Sequence, residues 1–233
     1  MSATRIVVAT YNVHRCVGRD GRFDPERTLA VLRELDADAV ALQELQWQPT
    51  DAMHLLQELA LKLGYAALAG PTLLRTDGHY GNAVLTRLPV LGTDSVDLSV
   101  PGREPRGALL ALLETSAGPL RLIATHLGLR PYERRLQMRR LLALQREPAS
   151  ATVLMGDLNE WFLWGRPLRW LHTRFGRTPA PPSFPARRPL LALDRIWVEP
   201  RSMLRQLRAH ASPLARAASD HLPLRAVLEP YPV

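Results

Sequence analysis

Six times in this 233-residue chain, a compact polar signature interrupts or ends an apolar stretch. Thr10-Tyr11-Asn12 follows the first run, Gln43-Glu44 the second, and Thr125-His126-Leu127 a middle one. Gly156-Asp157-Leu158-Asn159 ends another, Ser219-Asp220-His221 precedes the last, and Asp194 sits inside the stretch 191–198. Taken singly, Asp157 and Asn159 read as turn formers. Six such groups on one apolar scaffold are harder to explain by turns, because strand ends of α/β folds are where sites collect.

The residue types suit one reaction. A hard divalent cation such as Mg²⁺ takes oxygen ligands and needs only one or two carboxylates. Glu44 is the first choice, and Asp220 offers another. Attack on phosphorus requires an oriented, deprotonated water, a task for Asp157. Negative charge developing on phosphoryl oxygens needs donors, and Asn12, Asn159, His126 and His221 are candidates. A histidine serves better if a carboxylate holds it cationic, and Asp194 is the expected partner of His221.

Elements that could position these groups alternate short apolar runs with amphipathic stretches, an α/β pattern. Strands are expected at 5–9, 39–42, 81–86, 90–99, 107–114, 120–125, 152–155, 193–198 and 222–228. Asp24-Pro25 caps and opens a helix whose Leu29, Leu32 and Leu35 share a face. A second helix is expected over 50–63, stopped by Gly64. A third runs from Pro131 to about Arg146, with Arg134, Arg135, Arg139 and Arg140 on its solvated side. Residues 161–175 read as helical and 178–189 as a Pro- and Arg-rich loop. Together these predict two packed sheets flanked by helices, in one domain spanning 1–233.

Composition narrows the class without naming a partner. The hydrophobic fraction of 46% can fill a large core. No apolar run approaches the roughly 20 residues of a membrane span. No charged-then-apolar leader opens the chain, so the expected location is the cytoplasm. The single cysteine, Cys16, excludes an internal disulfide, and His14 beside it lacks further ligands at zinc spacing. The net charge of +8 rests on 30 basic residues, of which only Lys62 is a lysine. Arginine-based charge suits phosphate, but it equally reflects a biased composition, so charge alone decides nothing.

The segments TYNVH, LQELQ, GNAVLTRLP, THLGL, GDLNEW, LDRIWV and SDHLPL, in this order, resemble the endonuclease/exonuclease/phosphatase superfamily over about residues 5–228. This superfamily includes DNases, abasic-site endonucleases, neutral sphingomyelinases and inositol polyphosphate 5-phosphatases. The resemblance implies a four-layer α/β sandwich, two mixed sheets face to face with helices outside. It implies Mg²⁺ or Mn²⁺ held chiefly by Glu44 with Asn12 and Asp220 nearby. Asp157 would activate water, Asn159 would bind phosphate, and His221, paired with Asp194, would contact the scissile phosphate. Thr125-His126-Leu127 resembles the DNase and sphingomyelinase branches rather than abasic-site enzymes. Asn82 and Arg106 are expected to border the site, their ordinary reading being a turn residue and a solvated arginine.

The expected activity is Mg²⁺-dependent attack of water on a phosphodiester, with a lipid head group or another small phosphodiester favoured. A non-specific DNA endonuclease is the alternative, and a non-catalytic phosphate-binding module a weaker one. No obligate protein partner is evident; a membrane-surface lipid or DNA would be the macromolecular substrate. Trp161, Trp164, Trp170 and Phe184, among Arg166, Arg169, Arg187 and Arg188, could form a lip for lipid or bases. For Trp161 and Trp170, packing of a helix onto the sheet is the preferred reading.

Overall fold

The computed structural model describes residues 5–47, 52–75, 78–144 and 149–229. Alternation along the first strand, β1 (Ile6–Asn12), sets the layering. Its odd residues Val7, Ala9 and Tyr11 join one apolar cluster, while Ile6 and Val8 join another. The strand is buried on both faces, which is why it reads as an unbroken apolar run.

Helix α1 (Pro25–Leu35) begins as its sequence dictates, with Asp24 accepting from the Arg27 amide and Pro25 in the first turn. It packs Leu29, Leu32 and Leu35 on the outer face of a sheet containing β2 (Ala39–Trp47) and β4 (Gly78–Thr86). Helix α2 (Ala52–Leu63) covers the same face, while the expected start at Thr50 lies outside the described residues. β3 (Ala66–Arg75) completes one edge. At the other edge lie β11 (Leu224–Leu228) and β10 (Leu204–Ala209), in the order β10-β11-β1-β2-β4-β3.

The second sheet runs β5 (Val90–Asp97), β6 (Gly107–Leu113), β7 (Leu120–His126), β8 (Ala151–Asp157) and β9 (Asp194–Glu199) in chain order. Helices α3 (Pro131–Ala143) and α4 (Arg166–Phe175) cover its outer face through Met138, Leu141, Leu168, Leu171 and Phe175, against Ile123, Leu154 and Trp197. A short helix α5 (Pro213–Ala218) precedes β11. The inner faces meet through Val8, Ala41, Val84, Leu122, Val153, Ile196 and Ala226, among others. The result is the expected four-layer sandwich. Each sheet contains one parallel pair, β1 with β2 and β7 with β8, among antiparallel neighbours, so both sheets are mixed.

Several details differ from the sequence expectation. β3, β10 and α5 were not foreseen. The 161–175 helix is only α4; residues 161–164 form an exposed turn before it. Trp161 is therefore half exposed instead of packing a helix, whereas Trp170 is partly buried under the Arg139 guanidinium. Arg134 is not on a solvated face. It is fully buried and forms a two-pronged ion pair with Glu160. Arg146, the expected end of α3, lies outside the described residues; the described helix ends at Ala143.

Candidate active site

The alternation that builds the inter-sheet core also delivers the site. Continuing the inward set of β1 past Val8 and Thr10 reaches Asn12. Continuing that of β7 past Leu122 and Ala124 reaches His126, and that of β8 past Val153 and Met155 reaches Asp157. In β9, Asp194 precedes inward Ile196 and Val198. All four side chains therefore surface at one end of the cleft between the sheets, the carboxyl ends of both parallel pairs. His126 and Asp157 are register partners.

Glu44 is different. Strict alternation from Val40 and Leu42 would turn it towards the helices. A bulge between Leu42 and Leu45 and a left-handed backbone at Glu44 (φ 56°) re-aim it into the cleft. Asn159 is also left-handed (φ 50°). Backbone strain of this kind in non-glycine residues collects at functional sites. Gly156 supports the same end in another way. Its φ is 148°, and a β-carbon there would lie 1.8 Å from the Thr125 carbonyl oxygen.

The Asn12 amide nitrogen donates to Glu44 Oε1 (3.1 Å) and Asp157 Oδ2 (3.1 Å), and its oxygen accepts from the His14 amide (3.0 Å). Asp157 Oδ1 accepts the Asn159 amide at 2.8 Å. Across the cleft, His221 Nδ1 lies 2.8 Å from Asp194 Oδ2, and its Nε2 lies 3.8 Å from Asp157 Oδ2. Burial pushes the His221 imidazole down. The carboxylates of Asp194 and Asp157 outweigh that and carry it up to about 10, so it is cationic at neutral pH. Burial raises the Asp157 carboxyl to about 6, against the opposing pull of His221, a value suited to a general base. The Phe184 ring covers His221, with centroids 4.8 Å apart.

His126 has the opposite character. Burial first, then the charges of Arg106 and His221, hold it well below its usual value, so it is neutral. Arg106 lies 2.9 Å from Nδ1 and the Asn159 side-chain nitrogen 3.0 Å from Nε2; both are donors, and a neutral ring accepts from one of them. Nε2 also lies 3.6 Å from Asp157 Oδ2 and 3.9 Å from Glu44 Oε1. The Asn159 side-chain nitrogen also donates to the Leu127 carbonyl (3.0 Å).

Arg106 is buried against His126, not solvated, and also pairs with Glu104. Beside it a cleft of about 380 Å³ opens between Gly102, Glu104, Leu129 and Arg130. Asn82 is buried and bridges the sheets by donating to the Gly107 carbonyl (2.9 Å), next to Arg106. Asp220 is partly exposed. Ser219 Oγ links it to the Asn12 carbonyl (2.8 Å), and its Oδ1 lies 3.9 Å from His14 Nδ1. Sequence reasoning set His14 aside with Cys16; only the left-handed turn at 14–16 brings it to the cleft. Cys16 itself is buried, and burial pushes its thiol up to about 11, which leaves it inert.

Asp157, Asp194 and His221 lie within 4.8 Å of one another. Within the trio the groups already face one another, His221 Nδ1 on Asp194 Oδ2 at 2.8 Å and Nε2 towards Asp157 Oδ2 at 3.8 Å. The oxygen donors of Glu44 and Asp220, with Asn12 organising Glu44, fit a hard divalent cation better.

Fold and site together, two mixed sheets face to face with carboxylates and histidines gathered at one end of the cleft, match one protein family. The chain belongs to the Endonuclease/Exonuclease/phosphatase family, which matches residues 9–221. It is 32% identical over 244 residues to "Uncharacterized protein YbhP" of Escherichia coli (strain K12), covering 94% of each chain. Among solved structures it is similar to the endonuclease/exonuclease/phosphatase from Beutenbergia cavernae (TM-score 0.76, 22% identity, 97% of this chain and 71% of that one). It is also similar to the mannosyl-6-phosphatase Bt3783 of Bacteroides thetaiotaomicron (TM-score 0.73, 15% identity, 95% and 98%). A D. rerio TDP2 complexed with single strand DNA product gives a TM-score of 0.70 at 17% identity, covering 96% and 98%. These structural likenesses carry the fold alone.

Proposed function

We propose that the chain hydrolyses a phosphodiester with Mg²⁺ or Mn²⁺, a lipid head group or another small phosphodiester being favoured over DNA. The carrying observation is the setting of Asp157. Its Oδ2 is held by the Asn12 amide and lies within 4 Å of His126 Nε2 and His221 Nε2. A buried carboxylate near pH 6, beside one cationic and one neutral imidazole, supplies base and donors at one point.

Asp157 orients a water and takes its proton as the water oxygen bonds to phosphorus. The bond from phosphorus to the leaving oxygen breaks in line with that attack, and the leaving alkoxide takes up a proton from solvent water. His221 Nε2–H and the Asn159 side-chain NH₂ donate to the phosphoryl oxygens as their charge grows. Asp194 keeps His221 cationic and fixes its ring. A divalent ion at Glu44, with Asp220 and Asn12 nearby, would neutralise phosphate charge and stabilise the leaving oxygen. Arg106 positions His126 and, with Asn82, borders the path of the ester group. The location remains the cytoplasm in this reading; among the described residues no helix is long and apolar enough to cross a membrane.

The test is a substrate panel with Mg²⁺ and with Mn²⁺: an aryl phosphodiester, phospholipids, inositol phosphates, an abasic oligonucleotide and supercoiled plasmid. Aryl phosphodiester hydrolysis that chelator abolishes supports the reading. Activity surviving chelator refutes the metal assignment, and efficient plasmid nicking at low enzyme concentration refutes the substrate preference.

A further inference from the structure

Immediately beyond Asn159 and Glu160 the chain makes a turn that keeps its large apolar side chains in solvent. Trp161, Phe162, Leu163 and Trp164 are 52%, 51%, 63% and 72% exposed. Leu129, on the neighbouring loop, is 60% exposed. Four consecutive exposed apolar residues depart from the scattered single ones that any surface tolerates.

The turn is firmly mounted. β7 and β8 are parallel, so the loops after His126 and Asp157 leave at the same end of the sheet. Buried Arg134 binds both. It donates to the Leu129 carbonyl (2.7 Å) and to the two Glu160 oxygens (3.1 and 3.2 Å). Glu160 in turn accepts the Phe162 amide (3.3 Å), and the Gly165 amide closes the turn on the Phe162 carbonyl (2.9 Å). Arg130, beside Leu129, and Arg166 and Arg169, beyond Trp164, are exposed. None of the three pairs with an acidic side chain among the described residues.

We infer that residues 161–164 and Leu129 form an interfacial anchor that seats the mouth of the site on an anionic phospholipid surface. This rests on the phosphodiesterase reading only in that it says where the substrate lies. Exposed tryptophan, phenylalanine and leucine flanked in sequence by exposed arginine are the composition of segments that enter the interfacial layer, where cations meet anionic head groups. Stacking on nucleic-acid bases fits less well. Leu129 and Leu163 have no stacking face, and the Phe162 and Trp164 rings lie against each other with centroids 5.3 Å apart. A second copy of the chain fits less well too. Side chains of this size and exposure present roughly 400–600 Å², below the about 800 Å² per partner of a stable interface.

The test is co-sedimentation of the full chain with phosphatidylcholine vesicles and with vesicles carrying roughly one-third phosphatidylglycerol. The wild type and Trp161→Ser/Trp164→Ser are compared, with intrinsic tryptophan quenching by brominated lipid as a second readout. The expected result is binding to the anionic vesicles, weakened at least about tenfold in the variant. Both proteins should hydrolyse a soluble aryl phosphodiester equally. A wild type that stays in the supernatant, or a variant that pellets equally well, overturns the anchor. So does oligonucleotide binding that depends on the two tryptophans without vesicle binding, or a dimer that dissociates in the variant. Soluble-substrate hydrolysis reports on the hydrolase separately: its absence alongside vesicle binding sinks that reading and leaves the anchor standing.

Discussion

Asp194→Asn removes the charge that holds His221 cationic while keeping the side-chain shape. Asp194 is fully buried, and its Oδ2 lies 2.8 Å from His221 Nδ1. Carrying the imidazole from 6.5 to about 10 corresponds to roughly 5 kcal/mol at about 1.4 kcal/mol per tenfold. Asp157 is the next contributor and is more distant, at 3.8 Å. Losing Asp194 should therefore remove about half or more of the effect and bring His221 to about 7–8. The sign follows from the raised folded-state value. The imidazolium contributes stability that is fully present below about 6.5 and fades as pH rises through about 10. In the variant the window closes from above, and the fading is complete by about pH 8. Two measurements check this: the ¹⁵N titration of His221 in chelator-treated protein, and the pH dependence of aryl phosphodiester hydrolysis. The wild type should keep its imidazolium at pH 8.5, and the variant should lose most of it. The alkaline limb should move down with it, and the plateau rate should fall about 10²-fold, the scale of one lost stabilising donor. A titration and an alkaline limb that both stay in place would refute the role given to Asp194.

Glu44→Ala should lower turnover at least about 10²-fold and abolish the rise in melting temperature that Mg²⁺ produces in the wild type; an undiminished Mg²⁺ shift moves the metal elsewhere. Arg134→Met strands buried Glu160 and should cost about 3–5 kcal/mol in urea unfolding, most of it recovered by adding Glu160→Leu; a loss below about 1 kcal/mol contradicts the buried pair. Gly156→Ala drives a β-carbon into the Thr125 carbonyl at a φ of 148° and should destabilise by roughly 3 kcal/mol or more; a neutral substitution would show that β7 and β8 part easily. Arg106→Met leaves the burial that chiefly depresses His126 but removes the donor to Nδ1 and the larger of the two charges that add to it, so the His126 titration should move up part of the way, read by the same ¹⁵N spectra.

The sandwich was legible where burial writes itself into composition. β1, β7, β8 and β9 are buried almost throughout and read as apolar runs. β10 is mostly exposed or half-exposed, with two arginines in six residues, so no apolar pattern announces it. It exists because β11 offers it an edge to pair with. β3 passes through Gly70 and Pro71, punctuation that argues against a strand until β4 supplies the partner. The arginines of α3 show the opposite failure. An arginine on a polar stripe reads as solvated, and only the turn after Asp157 brings Glu160 over Arg134 to make burial tolerable.

The site was legible for a related reason. A polar residue that continues the inward alternation of a buried strand has nowhere to go except the cleft, and Asn12, His126 and Asp157 each do so. What the pattern cannot carry is anything that depends on a departure from regular geometry. Alternation alone would send Glu44 to the helices, and it reaches the cleft only through a bulge and a left-handed residue. His14 needs a left-handed turn, and Phe184 needs the loop that lays its ring on His221. The protonation states lie further still from the sequence. His126 and His221 are the same residue type a few ångströms from one carboxylate, yet one is neutral and the other cationic. The difference is the third partner: Arg106 at 2.9 Å from His126, and Asp194 at 2.8 Å from His221. Exchanging the sign of either partner should therefore exchange the role of its histidine, which makes these two second contacts, more than the histidines themselves, the determinants of which ring donates to a phosphate and which merely orders the carboxylates.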